Sequence, residues 1–144
     1  MKLRTLVYPF VAAILTFSMS NGALAQATGS RPFKISNPGG TVTTPQLWID
    51  NKPYIDIKLT GYKFQADRPY KVTSSRFNVT VYAKKYGWSF PLVIANQTFK
   101  ANESFQSSTF SAARLPSGYY YYAIVKRLDD GAGAVIGSIE VMGR

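Results

Sequence analysis

The sequence predicts an all-β domain, built either as a sandwich or as a barrel. Three observations support this fold class. Apolar and polar side chains alternate along several segments, with the period of two that is typical of a half-buried strand. Turn residues recur at intervals of roughly 8 to 12 residues, which predicts seven or eight short strands. No window sustains the period of an amphipathic helix, so a helical layer is not expected.

The first 25 residues have the pattern of a secretory signal peptide. A charged start precedes an apolar run over residues 6–17, and small residues offer cleavage sites after Ala25 or Ala27. The run has about 12 residues, fewer than the roughly 20 that a helix needs to cross a bilayer. We therefore expect the signal to be removed, the mature chain to have no membrane span, and the protein to be secreted or periplasmic.

The mature chain has the size of one domain. Residues 26–45 are rich in Gly, Pro, Ser and Thr and predict an irregular leader, in which Phe33 and Ile35 permit one short edge strand. A single β domain is expected over residues 46–144, with Leu47 in its first strand. Because the sequence contains no cysteine, no disulfide can hold the fold together, and the apolar core must do so alone.

Two strands are especially clear in the central part of the domain. Ile55, Ile57 and Leu59 alternate with polar residues, and residues 77–83 alternate in the same way. After Gly61 the apolar residues of the first segment move to the other parity, which indicates a β-bulge at the glycine.

Two further strand assignments follow from turn residues. Pro91 cannot donate a ladder hydrogen bond, so its strand is expected at the edge of a sheet. Residues 119–128 and 134–142 are expected to pair as the last hairpin, joined by a glycine-bearing turn.

The turn before residue 119 carries a resemblance to a known family. Leu115-Pro116-Ser117-Gly118, followed by four tyrosines, resembles the turn before the penultimate strand of immunoglobulin-like and fibronectin type III-like modules of bacterial surface proteins. The resemblance covers about the last 30 residues, and it implies a two-sheet antiparallel sandwich. The chain departs from antibody domains because it lacks the cysteines of their inter-sheet bridge.

The same resemblance implies an orientation for the tyrosine run. It identifies Tyr120 as the corner tyrosine, whose hydroxyl bonds to the backbone upstream. Tyr120 and Tyr122 would then face the core. Because successive side chains of a strand point to opposite faces, Tyr119 and Tyr121 would face outward.

The residue types that are missing exclude much enzyme chemistry. The sequence has no His and no Cys. His is the commonest general base, Cys supplies the nucleophilic thiol, and both are common ligands of transition metals. The seven acids are scattered over turns and strand edges, and no pair of them suggests glycoside hydrolysis. No glycine-rich loop opens a helix to hold a phosphate. We therefore expect no enzyme activity, no catalytic residue, no cofactor and no metal site.

Two surfaces are candidates for binding. The chain is basic, with 17 Lys and Arg against 7 Asp and Glu, which favours anionic partners. Aromatic rings beside cations suit stacking on sugars and contact with proteins. The first candidate is an outward aromatic and basic strip made of Tyr119, Tyr121, Arg127, Tyr82 and Lys84. The second is a basic patch made of Lys63, Arg68, Lys71 and Arg76.

Three functions are compatible with these features. The first is an exported, non-catalytic binding or accessory module of the cell envelope that contacts a protein or an anionic glycan. The second is a structural subunit or assembly factor of a surface structure, which would act through β-strand edges. The third is a small periplasmic inhibitor. Nucleic acid is not expected as a partner of an exported protein, and the sequence leaves the oligomeric state open.

Overall fold

A computed structural model describes residues 28–67, 72–88, 90–129 and 132–144, so the predicted signal peptide lies outside the described residues. The described part forms two antiparallel sheets, which confirms the predicted all-β sandwich. It contains nine strands, where the turn spacing predicted seven or eight. The strands are β1 (Thr28–Ile35), β2 (Thr41–Thr43), β3 (Leu47–Trp48), β4 (Tyr54–Ala66), β5 (Ser75–Lys85), β6 (Leu92–Ala101), β7 (Gln106–Ala113), β8 (Tyr119–Arg127) and β9 (Gly133–Gly143). Within these residues, no helix is long and apolar enough to cross a membrane.

The two sheets differ in size. The four-stranded sheet has the order β1-β9-β4-β7. The five-stranded sheet has the order β2-β8-β5-β6, and β3 also pairs with β8 beside β2. The strand β6 lies at an edge, as predicted from Pro91, but it begins at Leu92, so the proline precedes the strand and does not lie within it.

The core lies between the sheets and is formed by the alternating positions of the central strands. Ile55, Ile57 and Leu59 of β4 are fully buried, and so are Phe77 and Val79 of β5. Burial of each such side chain stabilises the fold by roughly 1.5 to 3 kcal/mol. The clearest sequence periodicities therefore mark the centre of the core.

The predicted bulge at Gly61 is confirmed. The pairing of β4 with both of its neighbours shifts register across this residue, and Gly61 has a φ of 60°. A glycine adopts this left-handed conformation without the steric cost of a Cβ. The extra residue moves Tyr62 and Phe64 onto the buried face.

The segment predicted as an irregular leader contains two strands. Residues 28–35 form β1, an eight-residue edge strand that pairs with β9, and β2 pairs with β8. Phe33 and Ile35 are buried, so they belong to the core. The sandwich therefore includes residues from Thr28 onward, because alternate apolar residues in a Pro- and Gly-rich segment are enough to bury one face of an edge strand.

The predicted last hairpin is wrong, because β8 and β9 lie in different sheets. In the immunoglobulin fold the last two strands share a sheet, so this strand order differs from the one that the resemblance implied. The strand β9 begins in the four-stranded sheet at Gly133, whose φ is 127°. A Cβ at this position would lie 2.5 Å from the carbonyl oxygen of Gln65, so the start of β9 requires glycine.

The predicted orientation of the tyrosine run is also wrong. Tyr121 is fully buried, and its hydroxyl accepts a 3.1 Å hydrogen bond from the Leu115 backbone N–H, so Tyr121 and not Tyr120 is the corner tyrosine. The register with β5 sets this parity: Ala123 and Val125 lie opposite Val81 and Val79 of the core. Residues directly opposite each other in an antiparallel pair point to the same side of the sheet.

Arg127 shares the inward parity of Tyr121 and is fully buried, so its predicted outward position is wrong as well. Its Nη1 donates to the carbonyl oxygens of Ser36 and Gly133, each at 2.7 Å. Its Nε donates to the Ser75 hydroxyl at 3.0 Å. A buried cation is tolerated only with such partners, and here two of the three, Ser36 and Ser75, are remote in sequence from Arg127.

Candidate functional site

The outer face of the five-stranded sheet carries four aromatic rings in two contacting pairs. Trp48 of β3 lies edge-on to Tyr120 of β8, with ring centroids 4.9 Å apart. Tyr82 of β5 stacks on Tyr122 of β8 at 5.3 Å, with the ring planes 18° apart. We call Trp48, Tyr82, Tyr120 and Tyr122 the aromatic strip. Trp48 is 46% exposed and the three tyrosines are half-buried, so the strip is open to solvent.

Strand alternation and register place these rings together. In β3, Leu47 is buried and Trp48 is exposed. Trp48 lies directly opposite Tyr120, and Tyr122 lies opposite Tyr82. Cross-strand neighbours on one face have Cβ atoms about 5 Å apart, which is the distance at which rings touch.

A polar cluster continues the same face along β5 and β6. The Asn96 amide donates to the Thr80 hydroxyl at 2.9 Å, and the Asn78 amide donates to the Asn96 side-chain oxygen at 2.7 Å. The Thr80 hydroxyl in turn donates to the Asn78 oxygen at 2.8 Å. We call Asn78, Thr80 and Asn96 the amide ladder. The N–H groups of both amides donate to neighbouring protein groups, so the ladder offers a ligand the oxygens of Asn96 and Thr80 as fixed acceptors beside the aromatic strip.

A groove of about 470 Å³ opens at the other end of the strip. Tyr120 belongs to both the strip and the groove. The Lys85 ammonium lies 5.4 Å from the centroid of the Trp88 ring and 6.0 Å from that of Tyr119, within the range of cation–π attraction. The groove is lined by Gln46, Lys84, Lys85, Tyr86, Gly87, Trp88 and Tyr120.

The charge of this sheet is of one sign. Its strands contain no Asp and no Glu. They contain six cations, of which Arg127 is buried and Arg76 is paired with Asp129 at 2.9 Å. In the described part of the chain, the other four form no salt bridge. These four are Lys84, Lys85, Lys100 and Lys126.

The predicted strip is therefore brought together only in part. Tyr82 and Lys84 face outward as predicted, and Lys84 lies opposite Tyr120. Tyr119, the first residue of β8, is half-buried and packs against the core.

Burial raises the pKa of the buried Tyr121 hydroxyl above its ordinary value. Burial, and then the neighbouring Tyr82, raise the pKa of Tyr122.

The second predicted patch does not form one surface among the described residues. Lys63 lies on β4 in the four-stranded sheet, with its ammonium 4.4 Å from the centroid of the Phe105 ring. Arg76 lies on β5 in the other sheet, where Asp129 binds it. Arg68 and Lys71 lie outside the described residues.

Sequence reasoning missed Trp48, Trp88, Tyr120 and Tyr122 as surface residues. A signal for Trp48 was present, because Leu47, Trp48 and Ile49 alternate and the apolar aliphatic residues on either side take the inward positions. No metal site accompanies the strip: among the described residues, no group of three or more His, Cys, Asp or Glu side chains could hold a metal ion.

Comparison with known proteins supports the fold and does not identify a family. No family model matches the chain, and no curated protein matches its sequence. A solved structure described as "CBM4 structure and function" is similar at 12% identity, over 80% of this chain and 71% of that chain, with a TM-score of 0.56.

Two further solved structures are less similar. One is a carbohydrate binding module from Cellvibrio mixtus lichenase 5A in complex with cellotriose, at 11% identity over 81% of this chain and 88% of that chain, with a TM-score of 0.45. The other is Eiger TNF from S. frugiperda, at 7% identity over 82% and 93%, with a TM-score of 0.42. The likeness to the structure described as "CBM4 structure and function", at 12% identity, shows the β-sandwich fold alone.

Proposed function

We propose that the protein is an exported, non-catalytic module of the cell envelope that binds a glycan through the aromatic strip. The aromatic strip itself carries this proposal. Four rings share one face of a sheet, and they are held in register by β3, β5 and β8. A rigid sheet fixes the rings before binding, which lowers the entropic cost of holding a ligand.

The chemistry of the face suits a sugar chain. A pyranose ring has an apolar C–H face that stacks on an aromatic ring, and hydroxyl groups around its edge that need hydrogen-bond partners. The aromatic strip supplies the first kind of contact and the amide ladder supplies the second. A protein ligand would also use aromatic hot spots, but it gains less from a row of amides and hydroxyls on an open sheet.

Two other features support the proposal. The structure described as "CBM4 structure and function" shares the sandwich with a TM-score of 0.56, so this fold is compatible with a carbohydrate-binding module. The N-terminal sequence has the signal-peptide pattern, so we propose cleavage after Ala25 or Ala27 and a secreted or periplasmic location. Extracellular and envelope glycans would be accessible to such a protein.

Calorimetric titration of the mature protein with soluble polysaccharides tests the proposal. The panel is barley β-glucan, xylan, mannan, alginate and polygalacturonate. We expect binding to at least one of them. The double variant Trp48→Ala plus Tyr120→Ala should weaken that binding by about tenfold or more, since central aromatic anchors dominate binding energy.

The matched control is Phe105→Ala. Phe105 is 68% exposed and has a lysine ammonium over its ring, but it lies in the turn after β6 and outside the strip. It should leave affinity within about twofold of wild type. Lack of binding to every polysaccharide, or an equal loss in the control and the strip variant, would contradict the proposal.

A second candidate function is assembly through a strand edge. The strand β6 lies at the edge of its sheet, runs for ten residues, and exposes Leu92 and Val93 by 42% and 59%. Such an edge can pair with a strand of another chain. Light scattering tests this: a strict monomer at high concentration, unchanged by Val93→Lys, would exclude self-assembly through β6.

A further inference from the structure

We infer that the glycan is a polyuronate, and that Lys84 and Lys85 in the groove bind its carboxylates while Tyr120 and Trp88 contact the sugar rings. The inference rests on the proposed function and names its ligand class. It is carried by the position of two lysines in a groove with three aromatic rings, on a sheet whose strands contain no acid.

The two ammonium groups are held in different ways. Lys84 lies directly opposite Tyr120 in the β5–β8 pair, so it lies beside the strip. The Lys85 ammonium lies within cation–π range of the Tyr119 and Trp88 rings, at 6.0 and 5.4 Å. Those rings orient the ammonium but do not neutralise it, because a ring quadrupole supplies only a weak attraction.

Three acids of the described chain are paired with arginines and not with these lysines. The Asp50 carboxylate, two residues after Trp48, lies 4.0 Å from the Arg114 guanidinium. Asp129 binds Arg76 and Asp56 binds Arg144, at 2.9 and 2.8 Å. Neither Lys84 nor Lys85 forms a salt bridge within the described residues, so both ammonium groups have hydrogen-bond donors for an anion from outside.

A uronic acid unit matches this arrangement. It combines an apolar ring face with a carboxylate on the same pyranose, so one unit can stack on an aromatic ring and present its charge about 5 Å away, the spacing of cross-strand neighbours. Charge-assisted hydrogen bonds from an ammonium to a carboxylate are about twice as strong as neutral ones. A nucleic acid fits less well, because binding its phosphate backbone requires a row of cations that follows the strand. Here the two groove lysines lie at one end of the strip.

The test compares two forms of one chain: polygalacturonate and its fully methyl-esterified form. Esterification removes the charge and keeps the sugar backbone. We expect wild type to bind the ester at least about tenfold more weakly, and we expect binding of the acid to weaken as NaCl rises from about 50 to 500 mM, since salt screens ion pairs.

The variant Lys84→Gln plus Lys85→Gln should weaken binding of polygalacturonate by about tenfold and abolish the preference for the acid. The control variant Lys34→Gln plus Lys58→Gln removes two charges from exposed positions of the four-stranded sheet, and should leave both affinities within about twofold of wild type. Equal unfolding midpoints in urea would show that all three proteins are equally folded.

The other outcomes separate this inference from the proposed function. Equal binding of acid and ester, or tight binding of a neutral polysaccharide alone, would overturn the polyuronate ligand and leave glycan binding intact. An equal loss in the Lys34 and Lys58 control would show that net charge matters and that the groove does not. Binding of oligothymidylate as tightly as polygalacturonate would overturn the inference in favour of a general polyanion surface. No binding to any polysaccharide would overturn both proposals.

Discussion

The two faces of β8 carry similar side chains and use them differently. On the inner face, the hydroxyl of Tyr121 and the guanidinium of Arg127 have hydrogen-bond partners within the protein. On the outer face, Tyr120 and Tyr122 touch other rings, and Lys126 is exposed and forms no salt bridge with the described residues. Polar groups whose bonding capacity is filled internally stabilise the fold, whereas exposed groups with spare capacity remain available for a ligand.

The two sheets show a related difference in charge. The outer face of the four-stranded sheet includes Asp56, which accepts hydrogen bonds from Ser111 and Arg144, and its strand β9 carries Glu140. All charged residues on the strands of the five-stranded sheet are cations. Only the second sheet therefore presents cations and aromatic rings without a competing carboxylate on its own strands.

The largest expected effect is at Arg127. Arg127→Ala should lower the free energy of unfolding by about 3 to 5 kcal/mol, because it leaves buried acceptors without a donor and opens a cavity. Lys126→Ala, one residue earlier and on the outer face, should change it by less than about 0.5 kcal/mol. Urea denaturation measures both values. Similar losses in the two variants would contradict the distinction between the faces.

The next effect is at the corner tyrosine. Tyr121→Phe removes the hydrogen bonds to the Leu115 backbone and should lower the free energy of unfolding by about 1 to 2 kcal/mol. Tyr120→Phe and Tyr122→Phe should have little effect, since no hydrogen bond from a buried partner is lost. The same urea denaturation assay measures all three variants. A larger decrease in the free energy of unfolding for Tyr120→Phe than for Tyr121→Phe would indicate that Tyr120 is the corner tyrosine.

These two positions also show where sequence reasoning fails. The alternation of residues 77–83, the glycine at 61 and the proline at 91 were enough to predict the sandwich, its bulge and an edge strand. The parity of β8 was not predictable in this way, because Tyr, Ala, Ile and Val can occupy either face. It depends on the register with β5, and on partners such as the backbone oxygen of Ser36, 91 residues away, that make a buried Arg127 tolerable.

The candidate site was predictable to the same limited extent. Tyr82 and Lys84 were correctly placed outward because β5 alternates strictly. Trp48 lies in a strand of two residues, so its alternation with Leu47 and Ile49 is only a short signal, and its contact with Tyr120 joins residues far apart in sequence. The groove depends on the turn after β5 folding back over Tyr120, which no local pattern reports.

A smaller effect is expected within the aromatic strip. The stacked pair of Tyr82 and Tyr122 should contribute a coupling energy of about 0.5 to 1 kcal/mol, measured by a double-mutant cycle of the two alanine variants. If the coupling were several times larger, the pair would be mainly a structural element of the sheet. A modest coupling leaves the rings available to a ligand.

The smallest effect is at Asp129, which follows β8. Hydrogen bonds from the Arg76 side chain, and then from its backbone, lower the pKa of Asp129 from its ordinary value near 3.8. Because the folded-state pKa is lower than the unfolded one, ionised Asp129 stabilises the fold above about pH 4, and this contribution is lost as the pH falls through the folded-state pKa. Asp129→Asn should therefore be slightly less stable than wild type at pH 7, and the difference should shrink as the pH falls below about 4.

The most direct test of the outer face is an NMR titration of the 15N-labelled mature protein with hexagalacturonate and, separately, with cellohexaose. We predict that at least one sugar shifts the Trp48 indole signal and the amide signals of Tyr82, Lys84, Tyr120 and Tyr122, while the amide signals of β9 and of residues 54–60 in β4 do not shift. Shifts confined to the four-stranded sheet, or none with either sugar, would contradict it.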